Sequence, residues 1–101
     1  MKKIINNKLY NTKTAKFLGS DSYSNERDFN YWHEKLYVKK TGEFFLWGEG
    51  GPKSKYAEQV EPHCYMGGCD ITPLSLDEAR EWAERHLSTD VYIELFGEPE
   101  E

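Results

Sequence analysis

Residues 31–47 restrict the fold more than any other part of this chain. The first arm alternates strictly, with Trp32, Glu34, Leu36 and Val38 on one side of an extended backbone and Tyr31, His33, Lys35, Tyr37 and Lys39 on the other. Lys39-Lys40-Thr41-Gly42 supplies a polar turn. The second arm, Glu43-Phe44-Phe45-Leu46-Trp47, is apolar on both sides, with Phe44 and Leu46 opposed to Phe45 and Trp47. Such a strand needs cover on both faces, so this arm is predicted to lie centrally in a sheet packed from two sides. The turn at 39–42 is expected to stay in water.

The flanking segments complete a sheet and then switch period. Lys3-Ile4-Ile5-Asn6-Asn7-Lys8-Leu9-Tyr10 reads as a hairpin, because Asn tolerates the positive φ of a tight turn. After a turn at 11–15, a short strand is expected at 16–18, then a polar surface loop from Gly19 to Asn25. Regular structure is predicted to stop at Gly48-Glu49-Gly50-Gly51-Pro52-Lys53-Ser54-Lys55. Residues 56–60 fit a strand or a helical turn, Glu61-Pro62 and Gly67-Gly68 bracket a loop, and 69–72 fit a brief strand. Ser75-Leu76-Asp77-Glu78 has the capping-box form, followed by Leu76, Ala79, Trp82, Ala83, His86 and Leu87 at three- and four-residue spacing. Ser88-Thr89-Asp90 can cap a second helix, with Val91, Tyr92, Leu95 and Phe96 on its apolar side and Gly97 at its exit; residues 98–101 are expected to fray. The prediction is a single α+β domain over 1–101, a small antiparallel β-sheet packed by two C-terminal helices.

Charge divides the chain. Residues 1–55 hold 11 Lys/Arg and 6 Asp/Glu, and residues 56–101 hold 2 and 12. An acidic half of this kind suits a cationic, nucleic-acid-binding partner surface, or serves solubility as a solvated helix and tail. No apolar run approaches the roughly 20 residues that span a bilayer, and the N-terminus turns polar too soon for a signal peptide, so a cytoplasmic protein is expected.

Candidate chemistry is thin. His63, Cys64 and Cys69, with His33 or His86, are zinc-type ligands, but a lone Cys pair with four residues between its members is poor zinc spacing. Two reduced thiols in a half-buried loop fit better. A nucleophile drawn from Cys64 or Cys69 with His63 or His86, oriented by Asp70, has no sequence signature. The glycine-rich stretch lacks the Walker spacing, and Glu49 opposes a phosphate there. Tyr31, Trp32, Lys35, Tyr37, Lys39 and Lys40 have the ring-plus-cation composition of single-strand binders, although so small a domain needs most of its rings for core. No enzyme activity, cofactor, metal or small-molecule substrate is expected.

Three stretches together resemble a family: Lys3-Ile4-Ile5-Asn6-Asn7-Lys8-Leu9-Tyr10-Asn11-Thr12; residues 34–57 with Thr41-Gly42-Glu43-Phe44-Phe45-Leu46 and Gly48-Glu49-Gly50-Gly51; and Ile71-Thr72-Pro73-Leu74 leading to Glu78-Ala79-Arg80-Glu81-Trp82-Ala83. They are similar to small proteins carried by mobile elements of Gram-positive bacteria, a group that includes type II-A anti-CRISPR inhibitors of Cas9. The resemblance implies a partner in a bacterial defence nuclease, Cas9 or its guide-RNA complex, and a blocking mechanism in a cationic channel. Asp77, Glu78, Glu81 and Glu84 are the expected phosphate substitutes, with Trp47 as an aromatic anchor and Lys53 and Lys55 as further contacts. The alternative is a nucleic-acid-binding accessory module of a mobile element, using Lys39, Lys40, Lys53 and Lys55.

Overall fold

The hairpin of residues 31–47 organises the molecule. In the computed structural model, which describes residues 1–100, the elements run β1 (Lys2–Ile5), β2 (Lys8–Asn11), β3 (Lys16–Tyr23), β4 (Trp32–Val38), β5 (Phe44–Gly50), β6 (Glu58–Glu61), β7 (Cys64–Met66), β8 (Gly68–Leu74), α1 (Leu76–His86) and α2 (Thr89–Phe96). A four-stranded antiparallel sheet has the order β3-β4-β5-β8, and β1-β2 and β6-β7 are separate two-stranded hairpins. The fold is α+β.

β5 is internal and covered on both sides, as its doubly apolar sequence requires. On one side Leu36 and Leu46 pack with Ala79 and Trp82 of α1, and Leu18, Phe44, Leu74, Leu87 and Phe96 close around them. On the other, Tyr37 and Phe45 stack at 5.2 Å and Tyr10 meets Phe45 edge-on at 5.5 Å, with Ile71, Ile5 and Ala15 beside them. Leu36 and Phe45 are fully buried, each worth about 2 kcal/mol of apolar transfer. The β1-β2 hairpin thus covers part of one sheet face, and the helices cover the other. Its turn places Asn6 and Asn7 at φ 49° and 65°, the conformation that a two-residue hairpin turn demands.

Two expectations are corrected. The loop expected from Gly19 is strand: β3 pairs with β4 as far as Tyr23 opposite Trp32, with a register shift between Phe17 and Gly19. This bulge breaks the alternation, so Leu18 and Gly19 both turn to the helix side; a Cβ on Gly19 would lie 2.8 Å from Leu87 Cδ2. An edge strand needs only one ladder, and polar Ser20, Asp21 and Ser22 satisfy it. Likewise Gly48, Glu49 and Gly50 continue β5, because the connection after the strand folds back over its end. A Cβ on Gly48 would fall 2.0 Å from the Tyr56 ring and one on Gly50 2.2 Å from Ser54 Oγ, so these glycines make room for side chains rather than ending a strand.

The remaining segments follow local chemistry. Residues 58–61 are strand, and the loop expected between Glu61 and Gly68 holds β7, which pairs back on β6 to close a hairpin; the brief strand expected at 69–72 extends over Gly68–Leu74, where Pro73 is tolerated because β8 lies at a sheet edge. Helix α1 carries the full capping box: Glu78 N–H donates to Ser75 Oγ at 3.1 Å and Ser75 N–H to Glu78 Oε1 at 2.9 Å. Ser88 caps α2, which exits through Gly97 at φ 85°. Residues 98–100 carry no secondary structure, and Glu101 lies outside the described residues. Among the described residues no helix is long and apolar enough to cross a membrane.

Candidate functional site

The buried face of α1 fixes where its carboxylates go. Ala79, Trp82 and Ala83 are buried against the sheet, and at about 100° per residue Asp77, Glu81 and Glu84 cluster on the opposite side within roughly 60° of arc. All three are exposed, and none takes part in an ion pair among the described residues. Glu78 is also exposed but is committed to the cap, whose backbone and hydroxyl donors at Ser75 hold its carboxyl below the usual range. Asp90 and Glu94 of α2 and Glu98 and Glu100 beyond it are exposed as well. Residues 75–100 therefore present eight carboxylates against Arg80 and Arg85 alone. The helix layer is the acidic side of the molecule.

The sequence-selected cations and ring are scattered. Lys55 places Nζ 2.6 Å from Glu34 Oε2, so its charge is used inside the fold although most of its side chain is exposed. Lys39 sits 4.3 Å from the Tyr10 ring centroid and 3.5 Å from Glu43, whereas Lys40 and Lys53 are exposed. Trp47 lies half-buried on the sheet face opposite the helices, with Lys35 Nζ 5.3 Å from its ring centroid and His33 edge-on at 5.8 Å. Asp77, Glu81 and Glu84 are brought together; Trp47, Lys53 and Lys55 do not join them.

Glu34 is the group that sequence reasoning did not single out. Its side chain is 2% exposed, yet both oxygens are satisfied: Trp82 Nε1–H donates to Oε1 at 3.0 Å, and the Tyr56 hydroxyl and Lys55 reach Oε2. Burial pushes its pKa up, but hydrogen bonds from Lys55, Trp82 and Tyr56, together with the lysine charge, outweigh that and leave it below the usual value. Burial, then the bond to Glu34, drives the Tyr56 phenol far above its ordinary range. This cluster ties the connection after β5, the sheet and α1 together. The signal for it was a carboxylate between Trp32 and Leu36 on the apolar side of an alternating strand.

The thiols differ from expectation. Cys64 lies in β7 and Cys69 in β8, both exposed and unpaired with each other, rather than half-buried in a loop. Among the described residues no group of three or more His, Cys, Asp or Glu side chains is placed to hold a metal ion. No protein family, curated protein or solved structure matches the chain.

Proposed function

We propose that this protein is a non-enzymatic, cytoplasmic inhibitor that lays its acidic helix layer into a cationic nucleic-acid channel of a bacterial defence nuclease, Cas9 being the nuclease that the sequence resemblance implies. The observation that carries the reading is the unpaired stripe of Asp77, Glu81 and Glu84, with Asp90 and Glu94 on the neighbouring helix. Lysines and arginines that normally meet phosphates accept carboxylates by the same Coulombic attraction, and releasing the counterions on such a channel adds to the gain. Because the stripe faces away from the core, it reaches a partner without any unfolding.

The test uses purified Cas9. The protein added before guide RNA should reduce guide loading or target cleavage, more strongly at low salt. The triple variant Asp77→Lys/Glu81→Lys/Glu84→Lys should lose that inhibition while remaining folded. Unchanged inhibition by the variant would remove the phosphate-substitute mechanism, and no association of the wild-type protein with Cas9 or its guide complex would remove the partner. Lys53 and Lys55 are secondary contacts in this reading, and Lys55 contributes only as far as its pairing with Glu34 allows.

A further inference from the structure

The sheet face opposite the helices carries the lysines of the β1-β2 hairpin. No acidic residue occurs before Asp21, while Lys2, Lys3, Lys8 and Lys13 lie in the hairpin or the turn after it; Lys16, opposite Val38, is on the helix side. The β1-β2 hairpin packs on this face through Tyr10 and Ile5, which turns Lys2 outward with Ile4 and Leu9. Two carboxylates nearby are occupied, Glu43 by Lys8 at 3.1 Å and Lys39 at 3.5 Å, and Asp70 by Lys3, whereas Glu26 and Glu58 are exposed outside any ion pair among the described residues. Glu49 lies 3.9 Å from His33. Lys2, Lys13, Lys35 and Arg27 have no acidic partner among the described residues. The uncovered half of the same face holds the partly exposed Trp47 beside Lys35 and His33, and an open cleft of about 460 Å³ whose charged lining is Arg27, Glu26 and Glu49, with Tyr31 and His33 beside them.

We infer that this face binds single-stranded nucleic acid, with Trp47 as the ring on which a base stacks and Lys2, Lys13, Lys35 and Arg27 as contacts to the phosphate backbone. Cations that track a strand around a partly exposed ring are the working parts of sequence-tolerant single-strand recognition. The site is separate from the acidic helix layer and does not depend on the nuclease reading. A protein with both faces in use would hold a cationic protein groove on one side and a strand on the other.

Fluorescence anisotropy of a labelled oligouridylate of about 15 nucleotides tests it with the full chain and no nuclease present. Binding should appear at about 50 mM salt and weaken by 200 mM, with a log–log slope near −3 for about four phosphate contacts. Lys2→Glu/Lys13→Glu/Lys35→Glu should abolish it. Trp47→Leu should weaken it about tenfold, with far-UV circular dichroism confirming the fold. Arg80→Glu/Arg85→Glu places about two-thirds of that charge change on the opposite layer and should leave binding intact. No binding at low salt, or equal weakening by the arginine variant, overturns the proposal. Neither outcome bears on inhibition of Cas9, which is measured separately.

Discussion

Replacing Glu34 with Gln isolates the charge of the buried cluster, because the side chain keeps its shape while losing its formal charge. In the wild type the carboxylate accepts from Trp82 Nε1, the Tyr56 hydroxyl and Lys55 Nζ. A hydrogen bond to a charged group contributes about 1 kcal/mol more than a neutral one. Counting the two donors that lie out of solvent, and discounting Lys55 because most of its side chain is exposed, the substitution should cost about 2 kcal/mol. For a chain of this size that lowers the melting temperature by about 10 °C at pH 7. The pH dependence has a defined sign. Glu34 titrates below the ordinary carboxylate range in the folded protein, so its stabilisation is complete above the unfolded pKa and disappears as pH falls through the folded one. Thermal melts of both proteins at pH 7 and at pH 3 or below should therefore show a gap that narrows in acid. A gap of equal size at both pH values, or none at pH 7, would refute the electrostatic account.

Other outcomes follow from single contacts. Gly48→Ala sets a methyl group against the Tyr56 ring at 2.0 Å, and the overpacking should cost about 2 kcal/mol while displacing Tyr56 from Glu34; near-ultraviolet circular dichroism would report the tyrosine movement. Ser75→Ala removes the acceptor for Glu78 N–H and should cost about 1 kcal/mol in urea unfolding, with hydrogen exchange rising first in the opening turn of α1. Because both thiols are exposed, Ellman's reagent should titrate Cys64 and Cys69 in the native protein without denaturant.

What could be read from the sequence was local. Alternation in β4, the doubly apolar β5, the Asn6-Asn7 turn and the Ser75 and Ser88 caps each carry their cause within a few residues, and each appears as expected. The failures came where the cause is a tertiary contact rather than a local pattern. Gly48 and Gly50 looked like breakers because Tyr56 and Ser54, which fill their space, enter from a later connection. Polar Ser20 to Ser22 looked like a loop because an edge strand takes its order from the backbone of β4, and a bulge erased its period. Glu34 shows the same thing at the site: its buried donors stand 22 and 48 residues away. The acidic stripe was legible because helical periodicity alone defines it, whereas the commitment of Lys55 to an internal carboxylate was not.

The same periodicity makes the stripe separable from the fold, which decides how the charge-reversal test is interpreted. Asp77 sits in the first turn of α1, where the positive end of the helix dipole favours a carboxylate, so Asp77→Lys removes a small stabilisation. Glu84 lies towards the other end, where a cation is preferred, and Glu84→Lys returns a contribution of the same kind. With position 77 reversed as well, the like-charge spacing of 77 and 81 only changes sign, while Glu81→Lys sets a cation against Arg85 and Glu84→Lys one against Arg80, both at i, i+4. The two dipole terms oppose one another, the two i, i+4 terms add to about 1.4 kcal/mol, and no substitution touches Ala79, Trp82 or Ala83. The triple variant should therefore melt within about 7 °C of the wild type and stay folded at assay temperature. A larger drop would mean that the stripe supports the helix rather than facing a partner. With stability held, lost inhibition reports the partner contact itself, and its recovery in a Cas9 carrying acidic substitutions in the facing channel would locate that contact.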